Sequence, residues 1–163
     1  MRKTRLYLDT SPIIMLEPDQ DPTRQAITKD FFRIVAERTD EYELFISTVT
    51  LDELQTGEED HGENSILYLD SLAHTELPGN KEAENLAQYY ISNGVLSKGH
   101  LDDLRHVAYA VVARCAYIIT WNMKHLANER TVSRVNIVNS ANDYGKIFIA
   151  TPEFFTGGKI YEK

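Results

Sequence analysis

The sequence predicts a three-layer α/β/α sandwich with a mainly parallel central sheet, and three observations carry that expectation. Short apolar runs alternate with amphipathic helical stretches, the order expected of a parallel sheet covered on both faces. The first run, Thr4-Arg5-Leu6-Tyr7-Leu8-Asp9, stops at a carboxylate and is followed by the turn-forming residues Thr10, Ser11 and Pro12. The chain has 163 residues, 42% hydrophobic and 26% charged, with no repeat, low-complexity run or linker, which suits one domain over residues 1–163.

Beyond the first strand, Asp21-Pro22 reads as a helix start, with Asp as N-cap and Pro at the first helical position. Ile27, Phe31, Ile34 and Val35 recur at helical spacing, so that helix runs to about Arg38. Tyr42 to Ser47 carries Leu44, Phe45 and Ile46 and reads as a second, buried strand. It passes directly into a short helix from Thr48, closed by Gly57. The acidic stretch 58–63 reads as a loop, and Ile66, Leu67, Leu69 and Leu72 as a further short helix. Thr75 to Leu77 is an open case for a strand. Pro78-Gly79 breaks the chain, after which Asn80 caps a helix with the stripe Ala83, Leu86, Ala87, Tyr90 and Ile91, ended by Asn93-Gly94. Leu101, Leu104, Ala108, Val111 and Cys115 mark a buried helix leading into the strand Ala116 to Thr120. A helical stretch from about Met123 to Tyr144, with room for a break, precedes a last strand, Lys146 to Ala150, and a Thr-Pro-Glu turn.

Composition excludes several classes. No apolar run approaches the ~18 residues of a membrane span, and no hydrophobic segment follows the basic N-terminal residues, so neither a membrane anchor nor a signal peptide is expected and the default compartment is the cytoplasm. One cysteine, Cys115, excludes an internal disulfide and a Cys-based zinc cluster. The net charge of -8 argues against a sequence-independent DNA coat. The charge is uneven: residues 1–97 hold 8 Lys/Arg against 19 Asp/Glu, whereas residues 98–163 hold 9 against 6, so contact with a polyanion belongs to the second half or these charges are simply solvated helix faces.

In an open parallel sheet the ligand crevice lies beyond the carboxyl ends of the strands, where Asp9 falls. Glu53 in the helix after the second strand, Asp102 and Asp103 at the start of the buried helix, and Asn122 after the fourth strand occupy comparable places. Carboxylates gathered on one rim repel each other unless a cation neutralises them, and an oxygen set without Cys favours Mg2+ or Mn2+. Such an ion activates water and stabilises charge on phosphate, so the implied chemistry is phosphodiester hydrolysis. Each residue also has a structural reading. Asp9 suits an Asx-turn, Glu53 follows Thr50 at capping-box spacing, Asp102 and Asp103 suit a helix N-terminus, and Asn122 suits a cap. His106 and His125, each three residues after one of these positions, are accessory candidates that more often serve as buried hydrogen-bonding groups. Tyr109 and Trp121 could stack on a base but suit core packing.

Together the segments Leu-Tyr-Leu-Asp9-Thr-Ser, Ser-Thr-Val-Thr-Leu-Asp-Glu53-Leu, Leu-Asp-Asp103-Leu-Arg-His-Val-Ala-Tyr-Ala, Ile-Ile-Thr-Trp-Asn122-Met-Lys-His and Ile-Ala-Thr-Pro-Glu-Phe resemble the PIN-domain nucleases, including toxin ribonucleases of the VapC type. The resemblance spans nearly the whole chain and implies a flavodoxin-like α/β/α sandwich, a Mg2+ or Mn2+ site, and endonuclease action on RNA. By motif position it makes Asp9, Glu53 and Asp103 the metal-binding acids, with Asn122 positioning water or metal and bound water attacking phosphorus in line. The chain departs from the family at the fourth position, where many members have Asp and this one has Trp121-Asn122; Asp102 is a candidate to supply part of the missing charge. A toxin role implies a small antitoxin protein as partner, and a homodimer is a further open expectation. The alternative is a non-catalytic PIN-like module binding RNA or protein. A phosphoryl-transfer enzyme of the haloacid-dehalogenase kind expects a second Asp two residues after the first, where this chain has Ser11.

Overall fold

The computed structural model describes residues 2–56 and 63–157. Its order is β1 (Thr4–Leu8), α1 (Thr10–Ile14), α2 (Pro22–Glu37), β2 (Tyr42–Ser47), α3 (Thr48–Thr56), α4 (Glu63–Asp70), β3 (Thr75–Leu77), α5 (Lys81–Ser92), a 3-10 turn (Lys98–His100), α6 (Leu101–Val112), β4 (Tyr117–Ile119), α7 (Glu129–Ala141), β5 (Phe148–Ala150) and α8 (Glu153–Thr156). The strands form one sheet in the order β3-β2-β1-β4-β5, and every pairing is parallel. Because β2 and β3 lie on one side of β1 and β4 and β5 on the other, the connections reverse direction next to β1, which is where open sheets of this kind leave a crevice.

Side-chain alternation along the strands divides the core into two layers. Leu6, Leu8, Leu44, Ile46 and Ile119 face a cluster with Ile13, Phe31, Phe32, Val35, Leu54 and Leu69, from α1 to α4. Tyr7, Phe45, Ile118 and Ile149 face the other way, against α5, α6 and α7. The chain is therefore a three-layer α/β/α sandwich, and each Leu or Ile buried in it contributes roughly 1.5–3 kcal/mol relative to exposure. Cys115 is buried in the second layer, and burial pushes its thiol up to about 12, so it is an inert core residue.

The helix starts at Asp21 and Asn80 are as the sequence predicts: Asp21 accepts from the Arg24 N–H and Asn80 from the Ala83 N–H. Thr75–Leu77, open in the sequence, is a strand paired with β2. Three expectations change. Thr10, Ser11 and Pro12 lie in the short helix α1 rather than in a turn, with Asp9 at its N-cap. The helical stretch expected from Met123 shrinks to α7, because Asn128 caps a new helix by accepting from the Thr131 N–H. The last strand starts at Phe148, because the Ile147 N–H donates to the Asn136 side chain instead of the sheet. Gly57 and residues 58–62 of the expected acidic loop lie outside the described residues. Among the described residues no helix is long and apolar enough to cross a membrane.

Candidate active site

Asp9 extends the β1–β4 ladder, its N–H donating to the Ile119 carbonyl, and its side chain is nearly buried at the end of the central strand. It does not cap α1. Instead Oδ2 accepts from the Thr120 hydroxyl at 2.6 Å and the Ser11 hydroxyl at 2.9 Å. Ser11 is held in turn by the Trp121 N–H, so the first turn after β1 and the end of β4 together orient this carboxylate. Oδ1 remains for the site and lies 3.2 Å from His106 Nε2.

Glu53 sits in α3, which starts directly from β2 because Ser47 and Thr50 tie the strand end to the helix: the Val49 N–H donates to Ser47 Oγ, and Thr50 Oγ1 donates to the Leu8 carbonyl. Its Oε1 accepts from the Thr10 hydroxyl and from His106 Nε2, both at 2.5 Å. The hydrogen bonds of Glu53 among the described residues thus go to Thr10 and His106 rather than back to Thr50, so it does not complete a capping box with Thr50.

His106 is the hub that spacing alone did not reveal. It is 1% exposed, on the inner face of α6, and its Nδ1 lies 2.7 Å from the Tyr7 hydroxyl, which also bonds Ser47 Oγ at 2.6 Å. Burial works against a charged imidazole here, but Tyr7, Asp9 and Glu53 outweigh it and hold the pKa well above its usual value. Neighbouring strands β1 and β2 supply Tyr7 and Ser47, so the ring is fixed from both ends.

Asp103 points to a second group. Burial and the nearby charge of Asp9 raise its pKa, while His106, His100 and His125 oppose the rise. Its Oδ2 lies 3.4 Å from His100 Nδ1. One donor atom each from Asp9, Glu53 and His106 lie within 4.8 Å of one another, and the same holds for His100, Asp103 and His125. Asp103 therefore stands between the two groups, coupled electrostatically to Asp9 and His106 and close to His100 and His125. Asp102 is exposed and pairs with Arg105 at 3.0 Å. Asn122 caps the turn after β4, its Oδ1 accepting from the His125 N–H at 3.0 Å. Tyr109 and Trp121 are buried: Tyr109 donates to Glu84 and Trp121 Nε1 to Thr28. His100 escaped the sequence reading, although it stands three residues before Asp103 at a helix start.

The donor chemistry of the first cluster fits a divalent cation. The Asp9 and Glu53 carboxylates lie within 4.8 Å of each other, an oxygen set that suits Mg2+ or Mn2+, while His106 Nε2, which donates to both, orients them rather than serving as a ligand in this arrangement. Beside it, Lys124, Arg130 and Arg134 line a cleft together with His100 and His125. Among the described residues none of these three cations is paired with a carboxylate, and Arg134 Nη1 donates to the Gly94 carbonyl.

A parallel sheet of order 3-2-1-4-5 between two helical layers, with Asp9 at the carboxyl end of its central strand, defines a three-layer α/β/α protein with its crevice at that strand. Solved structures share this fold. The chain resembles one in the structure of VapBC2 from Rickettsia felis bound to a DNA fragment from their promoter, with a TM-score of 0.58 and 15% identity over 91% of this chain and 98% of that one. It also resembles one in VapBC-1 from nontypeable Haemophilus influenzae, with a TM-score of 0.55 and 19% identity, again over 91% and 98%. No family model and no curated protein sequence matches the chain.

Proposed function

We propose that the protein is a metal-dependent endoribonuclease and the toxin of a toxin–antitoxin pair. The observation that carries this reading is the convergence of Asp9 and Glu53 on His106 at the carboxyl end of the central strand. Asp9, Glu53 and Asp103 would hold Mg2+ or Mn2+, which when bound supplies an acidic water and neutralises charge on the phosphate. The chain's own residues prepare that site. Thr120 and Ser11 occupy one oxygen of Asp9 and leave the other toward the cluster. Thr10 holds Glu53, and Tyr7 with Ser47 holds the ring of His106. Asn122 has committed its carbonyl oxygen to His125, so its amide N–H groups are the part that can hold water or a phosphate oxygen. Lys124, Arg130 and Arg134 offer a phosphate track for single-stranded RNA, which supports a polyanion partner for the second half of the chain.

Likeness to chains of two VapBC structures supports a small antitoxin protein as the partner, and the cytoplasm is the compartment this reading implies. Defined single-stranded RNAs, incubated with and without Mn2+ beside Asp9→Asn, test the nuclease. Cleavage by the unaltered chain and none by the variant, with its circular dichroism unchanged, is the expected result; equal activity in both sinks the assignment. A second reading, a non-catalytic module binding RNA or protein, is favoured by His106 already bridging the two carboxylates and by Asn122 in place of an acid. RNA binding unaffected by chelator, with no cleavage in Mn2+, decides for it.

A further inference from the structure

We propose that His100, Asp103 and His125 form a second cation site, joined to the first through the Asp103 carboxylate and selective for a transition metal over Mg2+. The site joins two separate parts of the chain. His100 ends the 3-10 turn Lys98–His100 and Asp103 lies in the first turn of α6, whereas His125 comes from the segment between β4 and α7. One donor atom from each lies within 4.8 Å of the others, and the two imidazole rings are 4.0 Å apart, inclined at 36°.

The donors are free for this use. Among the described residues His125 hydrogen-bonds only through its backbone, its N–H to Asn122 Oδ1 and its carbonyl from the Thr131 hydroxyl, so the residue is fixed while both ring nitrogens are uncommitted. Among the described residues His100 and Asp103 have only each other as side-chain polar partners. All three are half-buried, which reduces competition from water while leaving an entry path from the cleft. Two nitrogens and one carboxylate oxygen make a poor set for Mg2+, which prefers oxygen and water, and a good one for Zn2+, Co2+, Ni2+ or Mn2+, with positions open for water or a phosphate oxygen. Lys124 and Arg130 at the cleft wall repel such an ion, and an anion that shares the site offsets them.

The inference does not depend on RNA cleavage and is tested without it. Co2+, whose visible absorption reports its ligands, is titrated into the full chain carrying Asp9→Asn and Glu53→Gln, which removes the carboxylates of the first cluster. One Co2+ per chain is expected to bind, with excess Mg2+ failing to displace it. Adding His100→Ala or His125→Ala should weaken binding by roughly 100-fold or more, exceeding the ~10–100-fold typical of losing an outer partner. Absence of binding in the first background, or binding indifferent to both histidine substitutions, overturns the proposal. Imidazole nitrogen resonances of the unaltered chain give an independent reading should that background fold poorly: Zn2+ is expected to shift those of His100 and His125, and shifts confined to His106 overturn the site.

Discussion

Nε2 of His106 lies 2.5 Å from Oε1 of Glu53, linking the inner face of α6 to the helix that follows β2. The same nitrogen is 3.2 Å from Asp9, so one buried ring separates two carboxylates. His106→Ala removes the group that keeps them apart, and breaking a buried pair typically costs ~3–5 kcal/mol. Glu53 is 36% exposed, which places the expected loss at the low end, about 3 kcal/mol in urea unfolding. Saturating Mn2+ should recover part of that loss in the variant, because a ligand that binds only the folded state stabilises it. No recovery with Mn2+ would show that the cluster is a structural knot.

A second pairing joins α5 to α6. Arg105 forms a fork on Glu84, with Nε and Nη2 at 2.9 and 3.0 Å, and the Tyr109 hydroxyl donates to the same carboxylate at 2.7 Å. Burial pushes the Glu84 pKa up, but the hydrogen bonds from Arg105 and Tyr109 prevail and lower it from 4.5. A depressed carboxylate stabilises the fold above its unfolded pKa, and that contribution is lost as pH falls through the folded value. Glu84→Gln should therefore cost a modest ~0.5–1 kcal/mol at pH 7, reduced by solvent screening, and the difference should shrink below pH 4.5. Parallel denaturation curves at the two pH values measure it; a constant difference rules out the ion pair as its source.

Glu17 is a buried carboxylate outside both clusters. It accepts from the backbone N–H and the hydroxyl of Ser65 in the first turn of α4, where an acid also meets the positive end of the helix. Glu17→Ala strands the Ser65 N–H, and hydrogen bonds to charged groups are worth ~1.5–3 kcal/mol. For a chain of this size that corresponds to a melting temperature lower by roughly 4–10 °C. A melting temperature within a degree of the parent would mean that water replaces the carboxylate.

What the sequence made legible and what it did not follow from how each residue is positioned. Asp9 was visible because an apolar run ended in an acid, and Glu53 because a helix followed a strand without a loop. The centrality of His106 was not, because it needs β1, β2 and α6 brought together from residues up to 99 apart. Glu17 was missed because a lone acid near Pro18 and Asp19 looks like surface; only the packing of α4 buries it. The short helix α1 hid behind Thr10, Ser11 and Pro12, residues equally suited to a turn or a first helical turn. Asn122 carried two readings, and its hydrogen bond to His125 displays the capping one.

Lys124 and Arg130 line the cleft with His100 and His125, without a carboxylate partner among the described residues, and the RNA reading makes specific demands of them. If each contacts one phosphate, the slope of log K against log salt for single-stranded RNA should flatten by about 0.7 per residue, or ~1.4 for Lys124→Ala with Arg130→Ala. Such contacts exist before and during reaction, so the double variant should raise KM and leave kcat at saturating RNA within about twofold. Fluorescence anisotropy across a salt series gives the slope, and single-turnover cleavage separates binding from chemistry. A fall in kcat at unchanged slope would place these cations at the reacting phosphate instead of along the backbone. An unchanged slope with unchanged kcat would take the RNA path away from this cleft.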